Sequence, residues 1–130
     1  TSAVRAVAIT PDGNRAVSAS DDNTLKIWNL SNENEVPIVI EEAYWFNSVA
    51  ITPDGKLAVC GANASPIKIY DLQTGQKQRT LSGHTLIVNA IAITPNGKWA
   101  ASASSDNTLK VWNLYAEDVV LSGHEDWVNA

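Results

Sequence analysis

The sequence has little of what several functional classes require. It contains one cysteine, Cys60, and no methionine among its 130 residues. A single cysteine excludes an internal disulfide and is compatible with a reducing compartment, from which we expect a cytoplasmic location. The missing methionine indicates a chain that has been processed or, as we favour, an excerpt of a longer one.

Long apolar segments and clusters of basic residues are also missing. The longest uncharged run near the middle, AYWFNSVAITP, is too short to span a bilayer, and no signal peptide is visible. The formal net charge is −5, and the nine lysine and arginine residues are scattered. Nucleic-acid-binding proteins usually gather such residues against the phosphates, so we expect no nucleic-acid partner and no membrane association.

What the sequence does contain is one phrase written three times. AITPDGNRAVSASDDNTLKIWNL begins at Ala8, AITPDGKLAVCGANASPIKIYDL at Ala50 and AITPNGKWAASASSDNTLKVWNL at Ala92, so both steps are 42 residues. Short apolar runs separated by turn residues favour strands over helices. Each Thr-Pro-Asp/Asn-Gly segment predicts a hairpin turn, and a fourth, weaker run follows each phrase. The predicted fold class is therefore all-β, in units of four antiparallel strands.

The third run of a unit carries large residues on both sides of the predicted strand. Leu25 and Ile27 point one way, whereas Lys26, Trp28 and Leu30 point the other. Both faces of so small a sheet must then be covered, which stacked copies can do and one sheet cannot. The repeat therefore predicts sheets that pack face to face.

The segments SDDNTLKIWNL and LSGHTLIVNAIAIT resemble the WD-repeat (WD40) β-propeller family, which has a period of about 40–45 residues and a Gly-His to Trp-Asp frame. The dipeptide itself reads Trp-Asn, Tyr-Asp and Trp-Asn in the three copies. The resemblance implies a partial or oligomer-closed propeller of four-stranded blades. Its blades would cover residues 1–42, 43–84 (a degenerate copy) and 85–124, and a following blade would start at 125–130. The AITPDG wording is similar to repeats of bacterial multidomain signalling proteins.

The family joins a His, a Ser or Thr, an Asp and a Trp into a hydrogen-bonded tetrad within each blade. In the third repeat the matching residues are His84, Ser102, Asp106 and Trp112. The first repeat supplies Ser18, Asp22 and Trp28, and its histidine position falls before residue 1, while His124 lacks the other three. The second repeat has Glu42, Cys60, Ala64 and Tyr70 at these positions. We expect this middle copy to lack the network and to depend on packing.

The same residues could be misread as a hydrolase triad or as metal ligands. A triad needs an exposed nucleophile with oxyanion donors nearby, whereas Ser102 lies inside a predicted strand and partial copies of the set recur. The two histidines and Cys60 lack ligand spacing, and Asp21-Asp22 lacks the glycine and distal glutamate of a calcium loop. The sequence therefore predicts a structural role, with no catalytic site, metal or cofactor.

Aromatic residues before the second repeat's first strand are the remaining candidates. The aligned positions are Tyr44 and Trp45, then Leu86 and Ile87, then Asp126 and Trp127. They fall at a loop-to-strand junction that this family commonly uses to bind partners, which implies a protein or peptide partner there. Packing of Tyr44 and Trp45 between blades is an equally open alternative.

The predicted function is a protein-interaction scaffold, as a propeller segment of a larger multidomain or signalling protein. The alternative is an enzyme or small-ligand site in the central channel, and convergence of Arg5, Asn47 and Asn89 on one cavity would favour it. Three blades fall short of the four to eight of a typical propeller. We therefore expect the open faces to be covered by further blades of the parent chain or by head-to-tail association of copies.

Overall fold

The computed structural model of this chain describes residues 3–32, 34–63, 66–114 and 120–124, and these form three antiparallel sheets. The first sheet contains β1 (Val4–Ile9), β2 (Arg15–Ser20), β3 (Thr24–Asn29) and β4 (Ile38–Glu41). The second contains β5 (Phe46–Ile51), β6 (Leu57–Ala62), β7 (Ile67–Asp71) and β8 (Lys77–Leu81). The third contains β9 (Val88–Ile93), β10 (Trp99–Ser104), β11 (Leu109–Asn113) and β12 (Val120–His124). Strands that are neighbours in the chain pair within each sheet, so the all-β prediction with four-stranded units is confirmed.

The first two strands of each sheet are joined by the hairpin turn that the sequence predicted. In the first turn the Thr10 hydroxyl donates to the Asp12 carboxylate over 2.6 Å, and that carboxylate accepts the Asn14 N–H over 2.9 Å. Gly13 follows at φ 74°, a conformation that glycine adopts without steric cost. The same threonine contact recurs at 2.6 Å in the two later copies. These local bonds fix the register of β1 with β2, of β5 with β6 and of β9 with β10.

The first and second sheets pack face to face. Val17, Leu25 and Ile27 of the first sheet lie in one core with Phe46 and Tyr70 of the second, and all five side chains are at most 3% exposed. Burial of one such side chain stabilises the fold by about 1.5–3 kcal/mol. The prediction that Leu25 and Ile27 share one face is confirmed.

The second and third sheets form a second core. Val59 and Ile69 of the second sheet pack with Val88 and Trp112 of the third. Successive residues of β6 face opposite neighbours, because Cys60 belongs to the first core and Val59 to the second. The middle sheet is therefore covered on both faces, as the pattern of large residues predicted.

Two arginines link neighbouring sheets at their ends. Arg15 Nη1 of β2 donates to the Leu72 carbonyl, and Arg79 Nη1 of β8 donates to the Asn113 carbonyl, both over 2.8 Å. Each bond satisfies a carbonyl just beyond or at the end of a strand in the next sheet. The sheets are thus held in place by polar contacts as well as by their cores.

The first sheet exposes its other face within the described part of the chain. Val7 is 66% exposed, Ile9 60% and Trp28 39%. No further sheet packs on this face among the described residues, so its cover by another blade or copy stays a prediction. No helix long and apolar enough to cross a membrane occurs in the described ranges.

Candidate functional site

The third sheet joins its four predicted tetrad residues in one hydrogen-bonded chain. His84 Nδ1 lies 2.9 Å from Asp106 Oδ2, and His84 Nε2 lies 2.7 Å from Ser102 Oγ. Trp112 Nε1 donates to the same Ser102 oxygen over 2.9 Å. A carboxylate only accepts, so Nδ1 carries a ring proton and donates a hydrogen bond to Asp106. His84 lies between strands, and the chain of bonds ties it to β10 and β11.

Asp106 is held as a carboxylate by its surroundings. Burial opposes its charge, but hydrogen bonds from the Thr108 side chain, the Thr85 N–H and His84 outweigh burial and lower its pKa below the ordinary value. Ser102 is 0% exposed and has no access to a substrate. The set therefore lacks the exposed nucleophile of a hydrolase and braces the turn between β10 and β11.

The first sheet contains part of the same arrangement. Trp28 Nε1 donates to Ser18 Oγ over 3.0 Å, and Asp22 accepts the Thr24 N–H over 3.0 Å. Here the tryptophan is partly exposed, whereas Trp112 in the third sheet is 2% exposed. The backbone of His124 ends β12, and its side chain lies outside the described residues.

The second sheet has Glu42, Cys60 and Tyr70 in place of the tetrad residues, and a polar network of different composition stands there. Tyr70 O–H donates to Glu42 Oε1 over 2.6 Å, and Lys68 Nζ donates to Glu42 Oε2 over 3.0 Å. Glu42 and Tyr70 occupy the histidine and tryptophan positions of the family, and Lys68 joins them from β7. The expected packing is also present, because the buried Tyr70 lies in the first core.

Charge and burial are balanced in this second network. Burial opposes the charge of Glu42, but the bonds from Tyr70 and Lys68 lower its pKa. Burial also opposes the charge of Lys68, yet Tyr44 and Glu42 raise its pKa above the ordinary value. Both groups are therefore charged at neutral pH. Burial and the Glu42 charge raise the pKa of the Tyr70 phenol, which stays protonated and donates.

The serine position of this sheet takes no part in the network. Cys60 is fully buried at the serine position, and burial raises the pKa of its thiol. Such a cysteine is a small apolar core residue. Ala64, at the aspartate position, lies outside the described residues.

The candidate partner residues divide between packing and exposure. They lie at the loop end, which we define as the segments just before β1, β5 and β9 together with the β2–β3 turn and its counterparts. Tyr44 is half-buried, its ring 6.0 Å from that of Phe46 and 5.0 Å from Lys68 Nζ. Trp45 is 37% and Leu86 49% exposed, and Ile87 is half-buried. Asp126 and Trp127 lie outside the described residues.

Two of the three polar residues considered for a channel site are hydrogen-bonded within their own sheets. Arg5 binds Asp21 through two bonds of 2.7 and 2.6 Å, and Asn89 donates to Ser105 over 2.9 Å. The equivalent Asn47 amide nitrogen is buried, with no hydrogen-bond partner among the described residues. Arg5 and Asn89 thus turn toward their own sheets, and their contacts do not assemble a common site.

One cleft lies at the opposite end, between the first and second sheets. Its volume is about 310 Å³, and its lining includes Arg15, Lys56 and Asp71. None of the three channel candidates lines it. Among the described residues, no cluster of three or more His, Cys, Asp or Glu side chains could hold a metal ion.

A sequence profile of the family described as WD domain, G-beta repeat matches residues 1–29 and 75–113, more than half of the chain. The chain belongs to this family. The two matched segments leave out most of the middle sheet, where Glu42, Cys60 and Tyr70 replace the usual tetrad residues. Searches against curated proteins found no match.

Solved WD40-repeat structures share the fold closely. The structure of U3-55K has 26% sequence identity and a TM-score of 0.85, and the match covers 97% of this chain and 41% of that one. The crystal structure of the RRP9 WD40 repeats has the same identity and score over 97% of this chain and 40% of that one. This chain therefore spans about two fifths of the length of each. Its sheets are blades of a WD40 β-propeller.

Sequence reasoning missed the part that Lys68 plays. Lysine recurs at this position in all three repeats, as Lys26, Lys68 and Lys110, so it does not stand out. The available signal was the joint change of two tetrad positions to a carboxylate and a phenol, beside a lysine on the same strand. A glutamate that replaces a buried histidine needs a donor or a cation nearby.

Proposed function

We propose that this chain is part of a protein-interaction scaffold, and that its loop end binds a protein or peptide partner through Trp45 and Leu86. The exposure of these two large apolar side chains at the loop ends of neighbouring blades is the observation that carries the proposal. Exposed aromatic and aliphatic residues on a rigid support are typical anchors of protein interfaces. The WD40 family, whose members are generally interaction scaffolds, supports the same conclusion.

Tyr44 has a supporting role in this proposal. Its ring packs on Phe46 and carries the Lys68 ammonium group over its face, so it belongs partly to the core. Replacement of Tyr44 would therefore disturb the second blade as well as any partner surface. Trp45 and Leu86 are the cleaner positions for a test.

Binding to a displayed random-peptide library tests the proposal. Peptides selected on the wild-type chain should bind the Trp45→Ser/Leu86→Ser variant at least about tenfold more weakly, because truncation of two anchors costs more than 1 kcal/mol each. Leu30→Ser is the matched control, since Leu30 is a 51% exposed leucine at the opposite end. Equal affinities for the double variant and the wild type would contradict the proposal.

The parent context also belongs to this proposal. The chain covers about two fifths of the matched WD40 structures, which supports further blades that complete a ring. Membership of a larger multidomain or signalling protein, a bacterial source and a cytoplasmic location stay predictions from sequence, as does the absence of a nucleic-acid partner. The enzyme or small-ligand alternative has little support, because Arg5 and Asn89 are each paired within their own blades.

A further inference from the structure

The outer edge of the first blade is formed by β4, which has one strand neighbour, β3, among the described residues. An edge strand presents unpaired backbone groups that can pair with another extended segment. Proteins usually guard such edges with charged residues, bulges or very short strands. The edges of the first and second blades differ in this protection.

The register identifies which backbone groups of β4 face outward. Glu42 N–H donates to the Asn23 carbonyl, so this pair is of the hydrogen-bonded type. In an antiparallel ladder such pairs alternate, and Ile38 and Ile40 therefore also point their backbone groups toward β3. The N–H and C=O groups of Val39 and Glu41 consequently point away from the sheet.

Pro37 fits this phase. It lies two residues before Val39, so its nitrogen is on the outward side, where no sheet bond is lost. Its carbonyl also faces outward. The free edge thus offers carbonyls at Pro37, Val39 and Glu41 and N–H groups at Val39 and Glu41.

The side chains before and in the centre of this edge are apolar. Val36 is 80% and Val39 48% exposed, and no lysine or arginine lies in β4. The corresponding edge strand of the second blade, β8, reads KQRTL, and its Lys77 and Gln78 are exposed. The polar β8 is protected against strand addition in a way that β4 is not.

Acidic residues flank the apolar edge on both sides. From residue 27 to residue 53 the chain has four glutamates and no lysine or arginine. Of these, Glu35 lies before β4 and Glu41 ends it, and both are exposed. An extended segment laid along β4 would therefore meet negative charge near both of its ends.

We propose that the outer edge of β4 accepts an extended segment of a partner protein as a fifth strand. The segment has alternating apolar side chains in its centre and lysine or arginine at both ends. Main-chain hydrogen bonds to Val39 and Glu41 give affinity, and the flanking glutamates give a preference for segments with basic ends. This surface is separate from the loop end, so the proposal does not rest on Trp45 or Leu86.

A fluorescein-labelled peptide of sequence KKVTVTVKK, measured by fluorescence anisotropy at about 50 mM salt, is a suitable probe. The wild-type chain should bind this peptide. Its affinity should be much lower for a version N-methylated on alternate central amides, and lower also for EEVTVTVEE. Val39→Pro removes an outward N–H and leaves the bonds of Ile38 and Ile40 to β3. It should weaken binding about tenfold, which corresponds to the loss of one or two hydrogen bonds.

Thr80→Pro is the matched control, because Thr80 pairs with Lys68 as Val39 pairs with Lys26. It should leave the affinity for the peptide unchanged. If Val39→Pro unfolds the chain, the Glu35→Lys/Glu41→Lys variant replaces it, and this variant should reverse the preference between the two peptides. Failure of the wild type to bind, or equal loss in both proline variants, overturns the proposal. A wild-type dimer that Val39→Pro dissociates, without peptide binding, overturns it as well, because the edge would then pair with a second copy.

Discussion

Glu42, Lys68 and Tyr70 show that a blade can exchange its polar residues and still satisfy them. In the third blade a histidine connects an aspartate to a serine, which also accepts from a tryptophan. In the second blade a carboxylate accepts from a phenol and an ammonium group, and the serine position is an apolar Cys60. Both solutions leave each buried donor facing an acceptor. Their chemistry differs, so they should respond differently to mutation and pH.

At the residue scale we expect Glu42 and Lys68 to be energetically coupled. Lys68→Met leaves a partly buried carboxylate with one donor fewer and should lower the free energy of unfolding by about 1–3 kcal/mol. Glu42→Gln/Lys68→Met removes both charges and should cost less than the sum of the two single changes. Urea unfolding of the four proteins measures the coupling. Strictly additive costs would show that the 3.0 Å ion pair contributes nothing.

Acid should destabilise the fold through the same carboxyls. The pKa values of Glu42 and Asp106 are lower in the folded chain than their ordinary values. Their contribution is therefore present above the ordinary pKa of about 4 and is lost as pH falls below it. We expect the free energy of unfolding to decrease between about pH 4 and pH 2. Asp106→Asn should make that decrease shallower, and an unchanged slope would contradict the assignment.

At the scale of elements, β6 has a glycine where its counterparts have alanine. A Cβ at Gly61 would lie 2.5 Å from Ser48 Oγ and 2.7 Å from Val88 Cγ1. Ser48 is paired with Gly61 across the strands, and the other blades have an Ala–Ala pair there. The serine oxygen thus fills space that a methyl group fills elsewhere, while Val88 packs close to the β6 backbone.

Gly61→Ala should therefore destabilise the chain by about 1–3 kcal/mol, because overpacking forces β6 and β9 apart. Ser48→Ala alone should be nearly neutral, since the buried hydroxyl has no hydrogen-bond partner among the described residues. Combining them relieves the contact with Ser48 but not that with Val88, so we expect partial recovery. Thermal unfolding of the three variants gives their order of stability. A double variant as stable as the wild type would exclude the Val88 contact.

The strands and hairpin turns could be predicted from sequence because their signals are local. The threonine, proline and glycine that make a turn are neighbours in the chain, and their phrase recurs three times. The Glu42–Lys68 contact joins residues 26 positions apart in a copy that departs from the family, so no repeated pattern shows it. The exposure of Trp45 and the half-burial of Tyr44 depend on how two sheets pack, which adjacent letters do not specify.

At the scale of the whole molecule, one interface is used repeatedly. Phe46 and Tyr70 of the second blade pack on the first blade, and Val88 and Trp112 pack at the equivalent positions on the next interface. The first blade has Val4 and Trp28 at these positions, where they are exposed in the described structure. Its uncovered face therefore has the composition of a face that packs on another blade.

We expect the 14.0 kDa chain, when produced alone, to associate in a concentration-dependent way through the uncovered face of the first blade. Light scattering coupled to gel filtration measures the mass. Val7→Lys/Ile9→Lys places charges on the uncovered face and should shift the chain toward the monomer. Lys56→Ala changes a residue of the second blade, away from that face, and should not. A folded monomer at high concentration would show that the open face needs no cover.

The neighbour-to-neighbour pairing of the strands also has a consequence during synthesis. All four strands of the first sheet are available once Glu41 has emerged from the ribosome. The sheet can then form, because short loops join its strands and closing them has a small entropic cost. Leu25 and Ile27, however, acquire their core partner Tyr70 only when β7 has emerged. A nascent first sheet thus exposes this apolar face to solvent until β7 emerges, and exposed apolar surface of this kind favours aggregation.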